Sequence, residues 1–308
     1  MGRVIVDAGQ SGVRVVLSRP GHADIGREHA GIRSHGSVLR QVAAAVEASL
    51  SGIDTRDPWA LAAGITGLTP ADGGADTLLH ALPMVTSVAM AHDSAASYLG
   101  AFGHHQGAVL AVGTGVVVIA CAASRVARVD GWGHLLGDAG GGFWIGARGL
   151  AAVLEAFDGR APATALIGAA RERFGPFPDL PNIIYGDPDR VSVIAAFCIE
   201  VVACAKKGDP VSIAILEEAA WQLARSASAS LDSVQLSGDE RVVSWSGNLI
   251  GGSGYVRELL QMALERLPAR ARLIPPRGTA IDGARALFDL SSTHPLYGAV
   301  SRAYRNEK

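Results

Sequence analysis

Residues 3–18, RVIVDAGQSGVRVVLS, are two apolar runs rich in β-branched residues on either side of a glycine-rich turn, a pattern that predicts a β-hairpin. The same shape returns at residues 108–122, AVLAVGTGVVVIACA. Backbone N–H groups in such turns can converge on an anion. One such turn is more often a plain hairpin. Two matching turns favour a chain that holds a nucleoside triphosphate with one turn from each of two domains.

Each turn supplies its own candidate ligands. These are Gly9, Gln10, Ser11 and Gly12 in the first turn, and Gly113, Thr114 and Gly115 in the second. Asp7 ends the strand before the first turn, where a carboxylate can hold Mg²⁺, usually through water. The first turn is not a dinucleotide-binding motif, because GxGxxG is absent and a strand rather than a helix follows.

Lysine is rare, and its positions exclude two nucleotide-binding classes. Only three of the 27 basic residues are Lys, at positions 206, 207 and 308. A P-loop needs a Lys directly after its Gly-rich turn, and a protein kinase needs one on an early strand. Neither class fits this chain.

Composition limits the domain count and the partners. A chain of 308 residues that is 49% hydrophobic and 18% charged is near the size at which chains divide, so we expect two domains. No run of about 18 uncharged apolar residues occurs, so no membrane partner is expected. Because the net charge is -2 and no basic run occurs, no nucleic-acid partner is expected.

The cysteines and the N-terminus predict a cytoplasmic location. The three Cys, at positions 121, 198 and 204, are an odd number without a CxxC pair, so we expect buried thiols in a reducing compartment. The chain enters its first strand without a signal-peptide pattern.

Element patterns divide the chain at about residue 142. Before it, we expect a helix capped at Ser37 and buried strands at 59–65 and 85–90. After it, helices are predicted at 144–157, 162–174, 191–206, 211–231 and 255–267, with a strand at 242–246 and Pro-rich connectors at 174–189 and 268–276. The first half therefore predicts a β-rich α/β layer, and the second half is mainly helical.

Asp93 lies in the segment MAHDSAA, residues 90–96, after a predicted strand and at the start of a predicted helix. A carboxylate there can be a helix N-cap. It also faces the ligand edge of an α/β sheet, where a general base would lie. The two roles are compatible.

Residues 131–146, GWGHLLGDAGGGFWIG, contain seven Gly, two Trp and one carboxylate. Such a segment makes poor core and poor helix, and one interpretation is a mobile loop. Trp132 beside Asp138 favours another, in which an aromatic ring and a carboxylate hold a sugar ring and its hydroxyls. Residues 246–254, SGNLIGGSG, form a further Gly-rich turn that could accept a flat base near the backbone or could be a plain helix entry.

Taken in order over about residues 3–290, these motifs resemble the sugar kinase, Hsp70 and actin superfamily, and most closely its BadF/BadG branch of N-acetylglucosamine, glucosamine and muramyl-sugar kinases. The resemblance implies an α/β, two-domain actin-like ATPase (ribonuclease H-like) fold with a nucleotide cleft between the domains. The implied domains are residues 1–106, joined by a C-terminal helix at about 293–306, and residues 107–292 with a helical insertion.

The resemblance also implies an activity and residue roles. The protein would use ATP with Mg²⁺ to phosphorylate the primary hydroxyl of an amino sugar. N-acetylglucosamine would be the first expected substrate and glucosamine the second. Asp7 would anchor Mg²⁺, Asp93 would be the catalytic base, and the two turns would bind phosphates. Sugar contacts would come from Asp93, Thr114, Trp132, Asp138 and, in an early loop, His35, while Gly247, Asn248, Gly251 and Gly252 would make room for adenosine.

Three residues depart from the family pattern. Ser11 replaces the usual Thr and keeps the hydroxyl, Ala139 stands where an acidic residue is common, and Gly141 stands where Ser is common. These departures leave open the choice among N-acetylglucosamine, glucosamine, N-acetylmannosamine and muramyl sugars. The oligomeric state also stays open, with a homodimer as one alternative.

Two other functions remain. An activator ATPase of the acyl-CoA dehydratase type shares the fold but holds an iron–sulfur cluster through Cys ligands, for which the three Cys are not suitably placed. A non-catalytic sugar sensor is less compatible with the retained Asp7, Asp93, Thr114 and Asp138. A DNA-binding repressor would need an added helix-turn-helix.

Overall fold

The computed structural model describes residues 1–33, 36–54 and 57–305. The chain forms two compact units. The first comprises Met1–Val109, Cys121–Val126 and Pro275–Lys308, and the second comprises Leu110–Ala120 and Ala127–Ile274.

The first unit is built on a six-stranded sheet with the order β11-β5-β4-β1-β2-β3. Its strands are β1 (Gly2–Ala8), β2 (Val13–Ser18), β3 (Ile25–His29), β4 (Trp59–Ile65), β5 (Val85–His92) and β11 (Ser301–Tyr304). Strands β1, β2 and β3 are antiparallel neighbours, whereas β4 runs parallel to both β1 and β5. The first predicted hairpin is therefore confirmed as β1 and β2.

Alternation along β1 assigns side chains to the two faces of this sheet. Val4, Val6 and Ala8 join the main core with α1 (Val38–Leu50) and α2 (Ala75–Ala81). Ile5 points to the other face, where it packs with Ala96 of α3 (Asp93–Phe102) and with α12 (Ala280–Ala286). Asp7 shares the face of Ile5, since it lies two residues further along the strand.

The second sheet has the order β10-β9-β6-β7-β8. Its strands are β6 (Gly107–Val112), β7 (Val116–Ala122), β8 (Arg125–Asp130), β9 (Val242–Ser246) and β10 (Arg272–Leu273). The second predicted hairpin is confirmed as β6 and β7. The helices of the second unit are α4 (Gly142–Phe157), α5 (Leu166–Phe174), α6 (Leu180–Gly186), α7 (Arg190–Ala196), α8 (Cys198–Lys206), α9 (Pro210–Ser233), α10 (Asn248–Gly251) and α11 (Gly254–Arg266).

The predicted C-terminal helix at about 293–306 is wrong. This segment forms a 3₁₀ turn at Tyr297–Ala299 and then β11, which pairs antiparallel with the outer edge of β5. Ala303 is buried in the main core, and Ser301 Oγ accepts a hydrogen bond from the N–H of Ala75 at 2.9 Å. Pairing satisfies the edge of β5 in a way that a helix could not.

Other element boundaries differ for local reasons. The helix predicted at 162–174 begins only at Leu166, because Asp209 binds Thr164 Oγ1 and the N–H of Ala165, each at 2.9 Å. The segment 191–206 is divided at the buried Phe197, and the connector at 174–189 contains α6. The polar edge strands β3 and β8 were not predicted, since their patterns lack apolar alternation.

The described part of the chain contains no helix long and apolar enough to cross a membrane.

Candidate active site

The first glycine-rich turn is closed by its own backbone. The N–H of Gly9 donates to the carbonyl of Gly12 at 3.0 Å, and the carbonyl of Gly9 accepts from the N–H of Ile32 at 2.9 Å. A side chain at Gly31 would overlap the carbonyl of Gln10, so the turn is packed closely against residues 31–32. The N–H of Gly9 is therefore engaged, and a phosphate at this turn would be bound by residues 10–12.

Asp7 lies on the α3 face of the sheet, directly before this turn. The residue opposite Asp7 on the neighbouring strand β4 is Gly64. A methyl group added to Gly64 would overlap Ala96 and lie 3.7 Å from the Cα of Asp93. The absence of a side chain at Gly64 thus allows α3 to begin close to Asp7. Burial raises the pKa of Asp7 to about 6, the Arg14 guanidinium opposes that rise, and the Asp93 charge adds to it.

Asp93 is the first residue of α3 and directly follows β5, as predicted. The helix cap, however, is His92, whose Nδ1 lies 3.3 Å from the N–H of Ser94, so the predicted capping role of Asp93 is wrong. His92 Nδ1 also lies 2.7 Å from Oδ1 of Asp93. With the cap supplied by His92, the Asp93 side chain, which is 30% exposed, is left available to a ligand.

The second glycine-rich turn has the same closure, since the N–H of Gly113 donates to the carbonyl of Gly115 at 3.0 Å. The first turn of α4 packs onto it. The N–H groups of Gly142 and Phe143 donate to the carbonyls of Gly113 and Thr114, each at 2.9 Å. These bonds join the end of the glycine-rich loop directly to the turn and occupy two N–H groups at the start of α4.

Asp138 lies against the second glycine-rich turn. The residue is 8% exposed, and its Oδ1 accepts a hydrogen bond of 3.3 Å from the N–H of Gly133. A methyl group at Gly115 would overlap Oδ2 of Asp138, so the carboxylate touches the second turn. Burial raises the pKa of Asp138, the Asp130 charge adds to the rise, and hydrogen bonds from the backbone of Gly133 and Val116 oppose it.

The tip of the loop is apolar and exposed. Trp132, Leu135 and Leu136 are 75%, 83% and 85% exposed. The tip is closed by a hydrogen bond of 2.8 Å from the N–H of Gly137 to the carbonyl of Gly133. The predicted aromatic platform, Trp132, is therefore presented to solvent, six residues before a carboxylate, Asp138, that points inward.

The third glycine-rich segment lies beside the second turn. Gly247 has a φ of 102° and a side chain there would overlap the carbonyl of Val112, the residue before Gly113. Gly247, Asn248, Gly251 and Gly252 are all exposed. The structure thus brings the predicted adenosine motif and the second phosphate turn together within one unit, although they are more than 130 residues apart in sequence.

Sequence reasoning missed several residues that shape these segments. Arg257 Nη1 binds the carbonyls of Ile250 and Gly251 at 2.8 and 2.7 Å, and its guanidinium stacks 5.7 Å from the Trp245 ring. His92 and Asp130 were also missed. The pattern gives no signal for Arg257, whereas His92 could have been suspected because it stands beside the candidate base.

The remaining sequence predictions concern His35 and the three cysteines. His35 lies outside the described residues. Two of the cysteine thiols are buried and one is half-buried. Burial raises the pKa of Cys121 to about 12 and that of Cys198 to about 11. A raised pKa disfavours the thiolate, which is the form that binds metals.

Comparisons by sequence and by structure both find kinases of amino sugars among the similar proteins. A curated relative, the N-acetylmuramic acid/N-acetylglucosamine kinase of Clostridium acetobutylicum, is 27% identical over 212 residues, which cover 68% of this chain and 69% of the relative. Two solved structures, described as putative N-acetylglucosamine kinases from Chromobacterium violaceum and Porphyromonas gingivalis, match with TM-scores of 0.73 and 0.74 at 24% and 16% identity. Coverage is 93% of this chain and 98% of the other for the first, and 92% and 97% for the second.

A more distant match confirms the fold class. The structure of a ROK family glucokinase from Streptomyces griseus, solved with glucose and AMPPNP, matches at a TM-score of 0.57 and 13% identity, covering 94% of this chain and 99% of the other. The predicted α/β actin-like ATPase fold is therefore confirmed. The model of one family matches residues 5–284, nearly the whole chain, and the protein belongs to the BadF/BadG/BcrA/BcrD ATPase family.

Proposed function

We propose that this protein is an ATP-dependent sugar kinase that phosphorylates the primary hydroxyl of an amino sugar, with N-acetylglucosamine the preferred substrate and glucosamine the next. The observation that carries the proposal is the pair of carboxylates on one face of the first sheet. Asp93 starts α3 with an accessible side chain, and Gly64 allows it to approach the half-buried Asp7. Phosphoryl transfer to a hydroxyl needs such a pair, one carboxylate to accept the proton and another to hold the metal.

Asp93 would accept the proton of the attacking hydroxyl and orient its oxygen toward the phosphate. A base must lie within hydrogen-bond reach of the proton that it removes. The 30% exposure of the Asp93 side chain meets that requirement.

The residues present fit Mg²⁺, which would be held by Asp7. Burial raises the pKa of Asp7 to about 6 despite the opposing Arg14 guanidinium, so this carboxylate lacks sufficient charge compensation in the chain itself. The described residues contain no group of three or more His, Cys, Asp or Glu suited to a metal. Mg²⁺ usually takes one or two carboxylates and completes its shell with water and substrate phosphates, so one Asp is adequate. When bound, the ion would neutralise charge on the phosphates.

The phosphates would be bound by Gln10, Ser11 and Gly12 in the first turn and by Thr114 and Gly115 in the second. The N–H groups of Gly9 and Gly113 are excluded because each donates within its own turn. The exposed Gly247, Asn248, Gly251 and Gly252 would accept adenosine, with Arg257 fixing the end of α10.

Asp138 would bind sugar hydroxyls. A carboxylate has about four acceptor positions. Hydrogen bonds from the backbone of Gly133 and Val116 occupy two of them, which leaves two acceptor positions for hydroxyls. Trp132 would cover the sugar ring, and the hydroxyl of Thr114 lies on the turn that Asp138 touches.

The choice of N-acetylglucosamine rests on Ala139. A carboxylate there could pair with the ammonium of glucosamine, whereas Ala cannot, and one charged hydrogen bond is worth about 1.5–3 kcal/mol. A replacement from the following helix would be Glu155, but its carboxylate lies 3.9 Å from Arg160, which already supplies a cation. Trp132 and Phe143 can instead flank an acetyl methyl group.

The test is an ADP-release assay with Mg²⁺ over N-acetylglucosamine, glucosamine, N-acetylmannosamine and N-acetylmuramic acid. We expect sugar-dependent ADP release, with kcat/KM for N-acetylglucosamine about tenfold or more above that for glucosamine. A preference for glucosamine would overturn the argument from Ala139 and direct attention to Glu155. ATP binding without turnover on any sugar would favour a non-catalytic sensor.

A further inference from the structure

His92, the last residue of β5, makes three close contacts through one ring nitrogen. Its Nδ1 lies 2.7 Å from Oδ1 of Asp93, 2.9 Å from Oγ of Ser94 and 3.3 Å from the backbone nitrogen of Ser94. All three residues belong to the first unit. A ring nitrogen carries either a lone pair or a proton, so these contacts limit where the protons can lie.

The contact with the backbone of Ser94 assigns a lone pair to Nδ1. A backbone N–H can only donate, and His92 accepts from it as the N-cap of α3. The Ser94 hydroxyl can rotate to donate to the same nitrogen. In the capping form of the ring, Nδ1 is therefore a hydrogen-bond acceptor.

The contact with Asp93 needs a proton between the two atoms. A separation of 2.7 Å is that of a hydrogen bond, whereas an ionised carboxylate oxygen and a lone pair would repel each other at this distance. With Nδ1 as the acceptor, the proton of this bond has to come from Asp93. The geometry thus matches Asp93 in its protonated form, the form that it has after it has taken a proton from a hydroxyl.

The same distance also suits a proton on His92. An N–H of an imidazolium that donates to an ionised carboxylate forms a charge-assisted bond of about 2.7–2.9 Å. The proton can therefore pass from Oδ1 of Asp93 to Nδ1 with little movement of either atom. Only the backbone N–H of Ser94 then loses its acceptor, and at 3.3 Å its bond is the longest of the three.

His92 offers the proton a route that Asp93 lacks while substrate is bound. The exposed part of Asp93 is where the sugar hydroxyl would lie, so a bound sugar would block direct release of the proton to water. A proton that stays on Asp93 can also return to the new ester oxygen, which is the reverse reaction. The side chain of His92 is itself 33% exposed and can release a proton to water.

We propose that His92 is the proton acceptor behind Asp93. As the hydroxyl oxygen bonds to the γ-phosphorus and the bond to ADP breaks, the hydroxyl proton would move to Asp93 and then to Nδ1 of His92, and the imidazolium would release one proton to water. Asp93 is then ionised again before the product leaves. This inference rests on the proposed kinase function and adds a step that Asp93 alone does not provide. The alternative is that His92 only caps α3.

The experiment separates proton transfer from capping. His92→Asn keeps an acceptor for the N–H of Ser94, because Asn is among the best N-cap residues, but it cannot carry the proton. His92→Ala removes both functions and leaves space for free imidazole. The matched control is His80→Asn, since His80 is an exposed histidine in the last turn of α2, in the same unit. ADP release gives kcat and KM for each variant, and thermal unfolding checks the fold.

We expect His92→Asn to lower kcat about tenfold, less than the loss of about 10² to 10⁴ that removal of the base itself would cause. Its KM values for sugar and ATP and its melting temperature should stay close to those of the wild type. His92→Ala should lose at least as much, and added imidazole should restore most of its kcat without changing that of His92→Asn. In an Asp93→Asn background, which has no proton to pass on, His92→Asn should cause no further loss. His80→Asn should match the wild type.

Three results would overturn the inference and leave the kinase proposal standing. They are a kcat of His92→Asn within about twofold of the wild type, a loss in His92→Ala that imidazole does not restore, and an undiminished effect of His92→Asn in the Asp93→Asn background. Absence of ADP release by the wild type on every sugar would instead refute the kinase proposal, and the inference with it.

Discussion

The carboxylate of Asp130 accepts a hydrogen bond of 2.7 Å from the backbone N–H of Asp138. The same oxygen accepts from the N–H of Gly131 at 2.9 Å, so one side chain closes the loop from its first residue to the candidate sugar ligand. Both Asp residues have positive φ values, 62° and 59°. Asp tolerates this region better than most residues because its short side chain can bind nearby backbone groups. Asp130 thus holds Asp138 in the conformation that directs its carboxylate to the second turn.

Asp130→Ala is expected to loosen the loop, because two backbone N–H groups lose a charged acceptor. We expect a loss of about 1–3 kcal/mol in the local stability of residues 131–138 and a decrease in kcat/KM for the sugar of about tenfold or more. Hydrogen exchange across this segment measures the first effect, and steady-state kinetics measure the second. Asp130→Asn is the control, since its amide oxygen can accept both bonds. Equal exchange rates in Asp130→Ala and the wild type would contradict the assignment of Asp130 as the loop clamp.

Gly115→Ala is expected to displace the Asp138 carboxylate, because the added methyl group would overlap Oδ2. Gly113→Ala is the matched control in the same turn, since a methyl group there has no neighbour within 4 Å among the described residues. We expect Gly115→Ala to raise KM for the sugar about tenfold or more and Gly113→Ala to change it little. Similar KM values for the two variants would show that the position of Asp138 does not govern sugar binding.

The parts of the site that depend on local pattern could be predicted from sequence. Two hairpins, the strand that ends before Asp93 and the glycine-rich entry at Gly247 each have a short-range signature of apolar alternation or Gly spacing. Their order along the chain carried the resemblance to the family. The close approach of Gly247 to Val112 could not be predicted, because it depends on pairing between β9 and β6.

The parts that were missed depend on competition between groups that pattern cannot rank. Asp93 and His92 could each cap α3, and only the backbone geometry assigns the cap to His92. Residues 301–304 have no strong strand pattern of their own and become β11 because β5 offers a free edge. Arg14 lies opposite Asp7 only through the hairpin register, which a shift of one residue would reverse.

Asp138→Asn is expected to separate stability from activity. The pKa of Asp138 is raised above 3.8 because burial disfavours the charged carboxylate. The folded state therefore binds this proton more tightly than the unfolded chain, so the contribution of Asp138 to stability is fully present below pH 3.8 and is lost as pH rises through the folded pKa. The variant has no such pH dependence. We expect its melting temperature to rise relative to that of the wild type as pH rises above 3.8, with sugar turnover reduced about tenfold or more. A melting difference that does not change with pH would show that the carboxylate is not strained by burial.

Asp93→Asn tests the catalytic base. The substitution keeps the size of the side chain at the start of α3 and removes its ability to accept the hydroxyl proton. Turnover should fall by about 10² to 10⁴, the usual contribution of a general base, while the affinity for ATP stays within about twofold of the wild type.

The matched control is Asp76→Asn, because Asp76 is an exposed carboxylate in the first turn of α2, another helix of the same unit. Its turnover should equal that of the wild type. Initial rates of ADP release at saturating sugar give kcat, and calorimetry gives the nucleotide affinity. His92→Gln should lower kcat less than Asp93→Asn does, since it changes the cap of α3 but leaves the base in place. If Asp93→Asn retains more than about a tenth of wild-type turnover, the base is another group, and the carboxylate pair on the first sheet serves only to bind the nucleotide and its metal.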